Sequence, residues 1–208
     1  MLKKYHRKIL EDTLRERFSP HALEVIIEAN LGQDNLAGLV GHPEYHFDDN
    51  AFEAGNAYIE SQRGIIRRVL REGGAPEEAW RAFGRLTHAA QDFYAHSNYV
   101  RLWTARLTPQ QSIAGMREID PLDEDILADK GLRSGKVYWL EVISFIPALR
   151  PLAARMLPSN SHAAMNLDSP ARGPLFPAAL HAARKRTLHE LEHLLAEFSP
   201  EEQARFLG

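Results

Sequence analysis

The sequence has no cysteine among its 208 residues. That excludes disulfides, cysteine-ligated zinc, iron–sulfur clusters and thiol nucleophiles. It also lacks an excess of positive charge: the formal net charge is -3, which argues against a broad basic face for duplex nucleic acid. No apolar run reaches the roughly 20 residues that a membrane-spanning helix needs. The opening stretch, MLKKYHRKILEDTLRERF, is too charged for the core of a secretory leader. The expectation is a soluble protein, cytoplasmic or exported without a cleaved signal. Alternating Val/Thr-rich strands are missing too, as are a His-Asp dipeptide, a GxSxG elbow and a P-loop. A single ExxH occurs, Glu190 to His193, where a di-iron bundle needs two. Against these absences stand ten histidines. Without thiolates, a transition-metal site must be built from imidazole and carboxylate, which favours zinc.

Nearly every segment has helical periodicity. Ile9, Leu10, Leu14 and Phe18 recur at helical spacing over 3–17, and Ser19-Pro20 opens a second helix carrying Leu23, Ile26, Ile27 and Leu31. Residues 32–45 are loop-like. A long helix is expected from Asp48 or Asp49, both good N-caps, to Arg71 before Gly73-Gly74. Pro76 begins another that runs to about Trp103. A last long helix covers about 177–198, with a short one after it. The class expected is all-α, a multi-helix bundle with long polar loops. With 44% hydrophobic residues the chain can bury one core, so 1–208 is expected as a single domain. Residues 105–135 look like a loose insertion. The segment 137–157, with Tyr138, Trp139, Ile143, Phe145 and Ile146, is apolar: either core or a surface for membrane contact.

Chemistry concentrates in GRLTHAAQDFYAHSNYV. His88, Asp92 and His96 stand at i, i+4 and i+8, on one face of a helix and a turn apart. Two of them can grip one ion, and the second oxygen of Asp92 can reach another. On spacing alone, the three read equally well as hydrogen-bonded core residues or a solvated stripe. A second cluster, EYHFDDN, offers His46 and Asp48 at a loop-to-helix boundary, where the aspartate alternatively serves as a helix cap. His6 is a lone histidine on the first helix. His162 sits in a polar loop with Asn166 and Asp168. His189, His193 and Glu197 repeat the i, i+4, i+8 pattern on the last long helix, among Glu190 and Glu192, and also read as a solvated face.

Taken together, LTHAAQDFYAHSN, the HFD segment before it and the early helix bearing His6 resemble the zinc-dependent phospholipase C family. The resemblance is nearest to its heterokaryon-incompatibility (Het-C) branch, and the fungal zinc nucleases are related. It implies a helical hydrolase of phosphodiesters holding two or three zinc ions, most simply a phospholipase C acting on a phosphatidylcholine-type lipid through a metal-activated water. The metal ligands it implies are His6, Asp34, His46, Asp48, His88, Asp92, His96 and His162, with Asp92 bridging two ions. Asp48 would double as the acceptor of the water's proton, and Tyr94 and Asn98 would orient substrate. Asn30 and Asp34 fit the branch's NxxxD element. His162 with Asn166 and Asp168 stands in for its later HxxxE, with His193 and Glu197 a second candidate. The partners implied are a phospholipid or other phosphodiester and, through 137–157, a membrane surface. Alternative readings are a single-strand nuclease of the same superfamily, or a non-enzymatic membrane-interaction or toxin module with structural metal.

Overall fold

A computed structural model describes residues 1–35, 38, 41–108, 118–138 and 156–208. The architecture is all-α. The helices are α1 (Lys3–Leu14), α2 (Pro20–Gly32), α3 (Pro43–His46), α4 (Phe52–Arg71), α5 (Pro76–His96), α6 (Tyr99–Ala105), α7 (Glu124–Leu127), α8 (His162–Met165), α9 (Phe176–Leu195) and α10 (Pro200–Leu207), with a 3-10 turn at Pro170–Arg172. Among the described residues there is no strand, only isolated β-bridges pairing Ser97 with Ser134 and Lys136 with Ser161. No described helix is long and apolar enough to cross a membrane. Most of the apolar stretch 137–157, including Trp139, Ile143, Phe145 and Ile146, lies outside the described residues.

α5 is the axis of the molecule. It is buried from Leu86 through His96 without a break, and α2, α4 and α9 pack around it, with α1 wedged between α2 and α9. Its sequence alternates bulky anchors with Ala and Gly, which lets neighbours approach from several sides. Gly84 marks the tightest crossing: a Cβ there would stand 2.3 Å from the Ile26 carbonyl oxygen and 2.8 Å from Ala29 Cβ of α2. Two aromatic groups fill the ends of the core. Phe83 and Phe206 lie edge to face at 5.5 Å, with Phe18 against both. Phe47, Phe93 and Tyr99 form the other group. Side-chain caps fix several helix starts: Ser19 accepts from Ala22 N, Ser161 from Ala164 N, and Ser199 forms a capping box with Glu202.

Two expectations about α4 and α5 are corrected. α4 starts at Phe52, with neither Asp48 nor Asp49 as its cap. Phe47, Asp49 and Asn50 instead take left-handed backbone at φ 56, 56 and 57°. This uncommon conformation for residues with a Cβ turns the chain sharply before the helix. The helix expected from Pro76 to Trp103 is two: α5 stops at His96, and α6 resumes at Tyr99. Ser97 turns extended to pair with Ser134, while Asn98 N donates to Arg133 O at 2.9 Å and its side chain receives Arg133 N at 2.8 Å. Gly135 N donates to His96 O at 3.0 Å, and Leu167 N to Ala95 O at 2.7 Å. The C-terminal end of α5 is therefore stitched to segments far away in the chain.

Candidate metal centre

Asp92 is fully buried near the end of α5, and its two oxygens face different groups of donors. Oδ2 lies 2.9 Å from His46 Nδ1 and 3.1 Å from His88 Nε2. Those two nitrogens are 3.1 Å apart, and Asp34 Oδ1 approaches His88 Nε2 at 3.7 Å. Asp34, His46, His88 and Asp92 thus offer four ligand atoms within 4.8 Å of one another. Asp34 comes from the end of α2, His46 from the end of α3, and the others from one face of α5. Burial is what makes this arrangement unusual, since the imidazoles of His46 and His88 and the carboxylate of Asp92, at 0–3% exposure, are costly unless paired with charge; Asp34 is partly exposed.

The electrostatics divide the roles. Burial pulls His88 down to about 4, so its imidazole is neutral and its nitrogen lone pair is available. Burial acts on His46 in the same sense, but the hydrogen bond and charge of Asp92, with Asp34 and Asp48, outweigh it and raise His46 above its usual value. The two neighbours therefore diverge, His46 holding a proton to higher pH than His88. Burial opposes ionisation of Asp92, yet the surrounding His96, Met1 amino group, His88 and His6 hold its carboxyl well below the usual carboxylate range.

Oδ1 of Asp92 faces the other way, 3.2 Å from His6 Nε2 and 3.8 Å from His96 Nε2. The Met1 amino group donates to the same oxygen, and stands 3.2 Å from His96 Nε2 and 3.1 Å from Asp168 Oδ1. Burial would lower this amine, but Asp168, Asp92 and Asp34 raise it to about 11. Asp168 lies 3.2 Å from His96 Nε2. Its carboxyl is held far below normal, the Met1 amine and His96 outweighing burial.

A second candidate set is Asp48, His96 and His162. His162 Nδ1 lies 2.7 Å from Asp48 Oδ1; His96 Nδ1 lies 3.7 Å from the same oxygen and donates to His46 O at 2.9 Å, a bond it would give up to hold an ion there. The left-handed turn through Phe47, Asp49 and Asn50 brings His46 and Asp48 to this place. Asp49 N donates to Gly135 O at 2.8 Å and Ser134 N to Asn50 Oδ1 at 2.7 Å. Gly135 lets α8 come close: a Cβ there would stand 2.5 Å from His162 Cα.

All eight residues expected as ligands gather around Asp92, and Asp168 joins them from the far loop. Asn166, also expected near His162, is buried and its Oδ1 has no hydrogen-bond partner. His193 and Glu197 lie elsewhere, with Glu197 engaged by Arg67 at 2.7 and 2.8 Å. Tyr94 and Asn98, expected to orient substrate, hold the fold instead: Tyr94 donates to Pro121 O at 2.6 Å and Asn98 Nδ2 to Gly131 O at 2.9 Å. Behind the cluster lies a polar layer formed by Asn30, Thr87, Gln91 and Thr187, all buried, of which the sequence pattern singled out only Asn30. Gln91, next to Asp92 in HAAQDF, is a polar residue on a helix otherwise apolar there, and it carried the signal.

Residues 5–125 match the family model described as the VWA7 N-terminal domain. The chain belongs to this family. It is 37% identical over 83 residues to von Willebrand factor A domain-containing protein 7 of Rattus norvegicus, a match covering 39% of the chain and 9% of that protein. It is 31% identical over 112 residues to the protein of that name from Homo sapiens, covering 50% of the chain and 12% of the relative. The chain thus spans about a tenth of the length of the curated relatives it matches. No solved structure matches it.

Membership in the VWA7 N-terminal domain family corrects the resemblance to zinc phospholipases C and their Het-C branch. LTHAAQDFYAHSN describes one helix with ligand-type side chains at i, i+4 and i+8, and a helix facing buried cations reads this way in any family. The VWA7 match takes in the helices on both sides of it. The phospholipase and phosphodiesterase readings, with the nuclease of the same superfamily, rested on that resemblance and fall with it.

Proposed function

We propose that this VWA7-type domain is a divalent-metal-binding module whose donor set fits zinc. One ion is held by Asp34, His46, His88 and Asp92, and a second by Asp48, His96 and His162. His6 and the remaining oxygen of Asp92, with Asp168 beside them, are donors for a third in place of the Met1 amino group that stands there.

The observation that carries this reading is the spacing of lone pairs around Asp92 Oδ2. Four ligands about 2.0–2.2 Å from a tetrahedral ion stand roughly 3.3–3.5 Å from one another. The distances of 2.9, 3.1, 3.1 and 3.7 Å among Asp92, His46, His88 and Asp34 bracket that value. A hydrogen-bonded core would pair each acceptor with a donor. Here the buried His6 Nε2 has no hydrogen-bond partner while it faces Asp92 Oδ1 at 3.2 Å, and the buried His46 Nε2 and His88 Nδ1 have none either. Histidine nitrogens and carboxylates without sulfur suit zinc among the transition metals.

Elemental mass spectrometry on untagged protein tests the proposal. Two or more zinc ions per chain are expected after zinc exposure and desalting. Asp92→Asn and His88→Ala should each lose at least one, and His189→Ala on exposed α9 none. Wild-type protein that takes up no zinc overturns the reading, and so does an undiminished zinc content in both cluster variants.

A further inference from the structure

Behind His6 runs a line of hydrogen bonds whose direction is set at its far end. Thr187 Oγ1 donates to Ala183 O at 2.8 Å, one turn back along α9, which uses its only proton. The Thr187 oxygen therefore accepts, and Gln91 Nε2 donates to it at 3.0 Å. With the amide nitrogen turned to Thr187, Gln91 presents Oε1 to His6 Nδ1 at 2.6 Å. An amide oxygen only accepts, so Nδ1 carries a ring proton, and in the neutral ring the lone pair is on Nε2.

A parallel anchor supports the same orientation. Thr87 Oγ1 donates to Gly84 O at 3.0 Å and accepts from Asn30 Nδ2 at 3.2 Å. The same Asn30 nitrogen reaches toward Gln91 Oε1 at 3.5 Å. Two hydroxyls, each committed to a helix carbonyl, thus fix two buried amides.

We propose that Gln91 and Thr187 are positioning residues that lock His6 in the Nδ1–H tautomer, so that its Nε2 lone pair is aimed with Asp92 Oδ1 at one cation. This rests on the metal-centre reading for its consequence, although the tautomer itself does not. The alternative tautomer would put a proton on Nε2, pointing it at Asp92 as an ordinary hydrogen bond, and the imidazole would no longer be a ligand. Outer-shell partners of this kind change metal affinity by about 10–100-fold.

Two isosteric changes separate the hydroxyl from packing. Thr187→Val keeps the volume and removes the hydroxyl; Thr187→Ser keeps the hydroxyl and removes a methyl group. In Thr187→Val the Gln91 amide loses its acceptor and is free to rotate its nitrogen toward His6. Zinc titration is expected to show the weakest-binding ion of wild-type protein weakened by about 10–100-fold in Thr187→Val and nearly unchanged in Thr187→Ser. Equal affinity in all three proteins, or weakening in Thr187→Ser alone, overturns the proposal.

A second measurement needs no metal. Nitrogen-15 NMR of histidine-labelled, chelator-treated protein at alkaline pH reports which nitrogen of His6 bears the proton. The Nδ1–H form is expected in wild-type protein, with loss of that preference in Thr187→Val; an Nε2–H form in wild type overturns the assignment. Wild-type protein that binds no zinc but shows Nδ1–H on His6 would fail the metal-centre reading and leave the lock standing.

Discussion

Glu190 has no exposed surface, and two guanidinium groups close over it. Arg63 Nε and Nη2 donate to its carboxylate at 2.7–3.0 Å, and Arg186 Nε at 2.6 Å. Burial alone would push this carboxyl up; Arg186 and Arg63 outweigh it and hold the group below its ordinary 4.5. A carboxyl depressed by folding contributes stability that is fully present above the unfolded value and is lost as pH falls through the lower folded value. Glu190→Gln deprives Arg186 and Arg63 of the buried anion they share, although Arg63 keeps Glu60 at 2.8 Å, and costs about 3 kcal/mol at neutral pH, the low end for a broken buried pair. The gap between wild type and Glu190→Gln in urea denaturation should be constant above about pH 5.5, a unit above that reference, and narrow steadily in acid, because protonated wild type comes to resemble the variant. A gap independent of pH would mean that Glu190 acts by shape. From sequence, HELEH looked like a solvated face, and His193 and Glu192 are indeed exposed. Glu190 differs because its partner Arg63 arrives from α4, 127 positions away, and no local pattern reports that.

At the scale of elements, α5 explains why the site was legible and its surroundings were not. The spacing of His88, Asp92 and His96 is a property of one helix and could be read from it directly. Where α5 ends could not, because the break at Ser97-Asn98 is imposed by Arg133 and Ser134 across the chain. The turn at residues 47–50 has the same origin: Asp48 and Asn50 are good cap residues by type, but contacts to Ser134 and His162 claim them first. Gly84 offers a direct test of how tightly α5 is held. A Cβ at 2.3 Å from the Ile26 carbonyl meets backbone, which has little freedom to yield, so Gly84→Ala should destabilise the fold by about 1–3 kcal/mol despite its better helix propensity. Gly64, on α4, is the control: a Cβ there meets nothing within 4 Å, and Gly64→Ala should stabilise by up to about 1 kcal/mol. Chemical denaturation midpoints showing both variants shifted the same way would refute the close crossing.

For the whole molecule, a thirteen-residue motif proved too local to identify the family. Family membership is carried by residues 5–125 together, across helices whose ordinary apolar periodicity carries no such label to the eye. The proposed ligands are equally dispersed. His6 lies on α1, Asp34 follows α2, His46 and Asp48 sit before α4, His88 to His96 end α5, and His162 opens α8. Ions held by these residues would join segments that the unfolded chain cannot bring together, so their binding free energy adds to folding stability. With free zinc at 100 times its dissociation constant, one site contributes about 2.7 kcal/mol. For a chain of this size each kcal/mol shifts the melting temperature by roughly 2–4 °C. Removing zinc with a chelator should therefore lower the melting temperature by about 5–11 °C for one ion, and zinc, but not magnesium, should restore it. In Asp92→Asn the chelator should have little effect, since the carboxylate common to the surrounding donors is gone. A zinc-loaded protein that melts at the same temperature with and without chelator would show that the ions bind a surface the fold does not depend on, and that the buried cluster is held together by its protons alone.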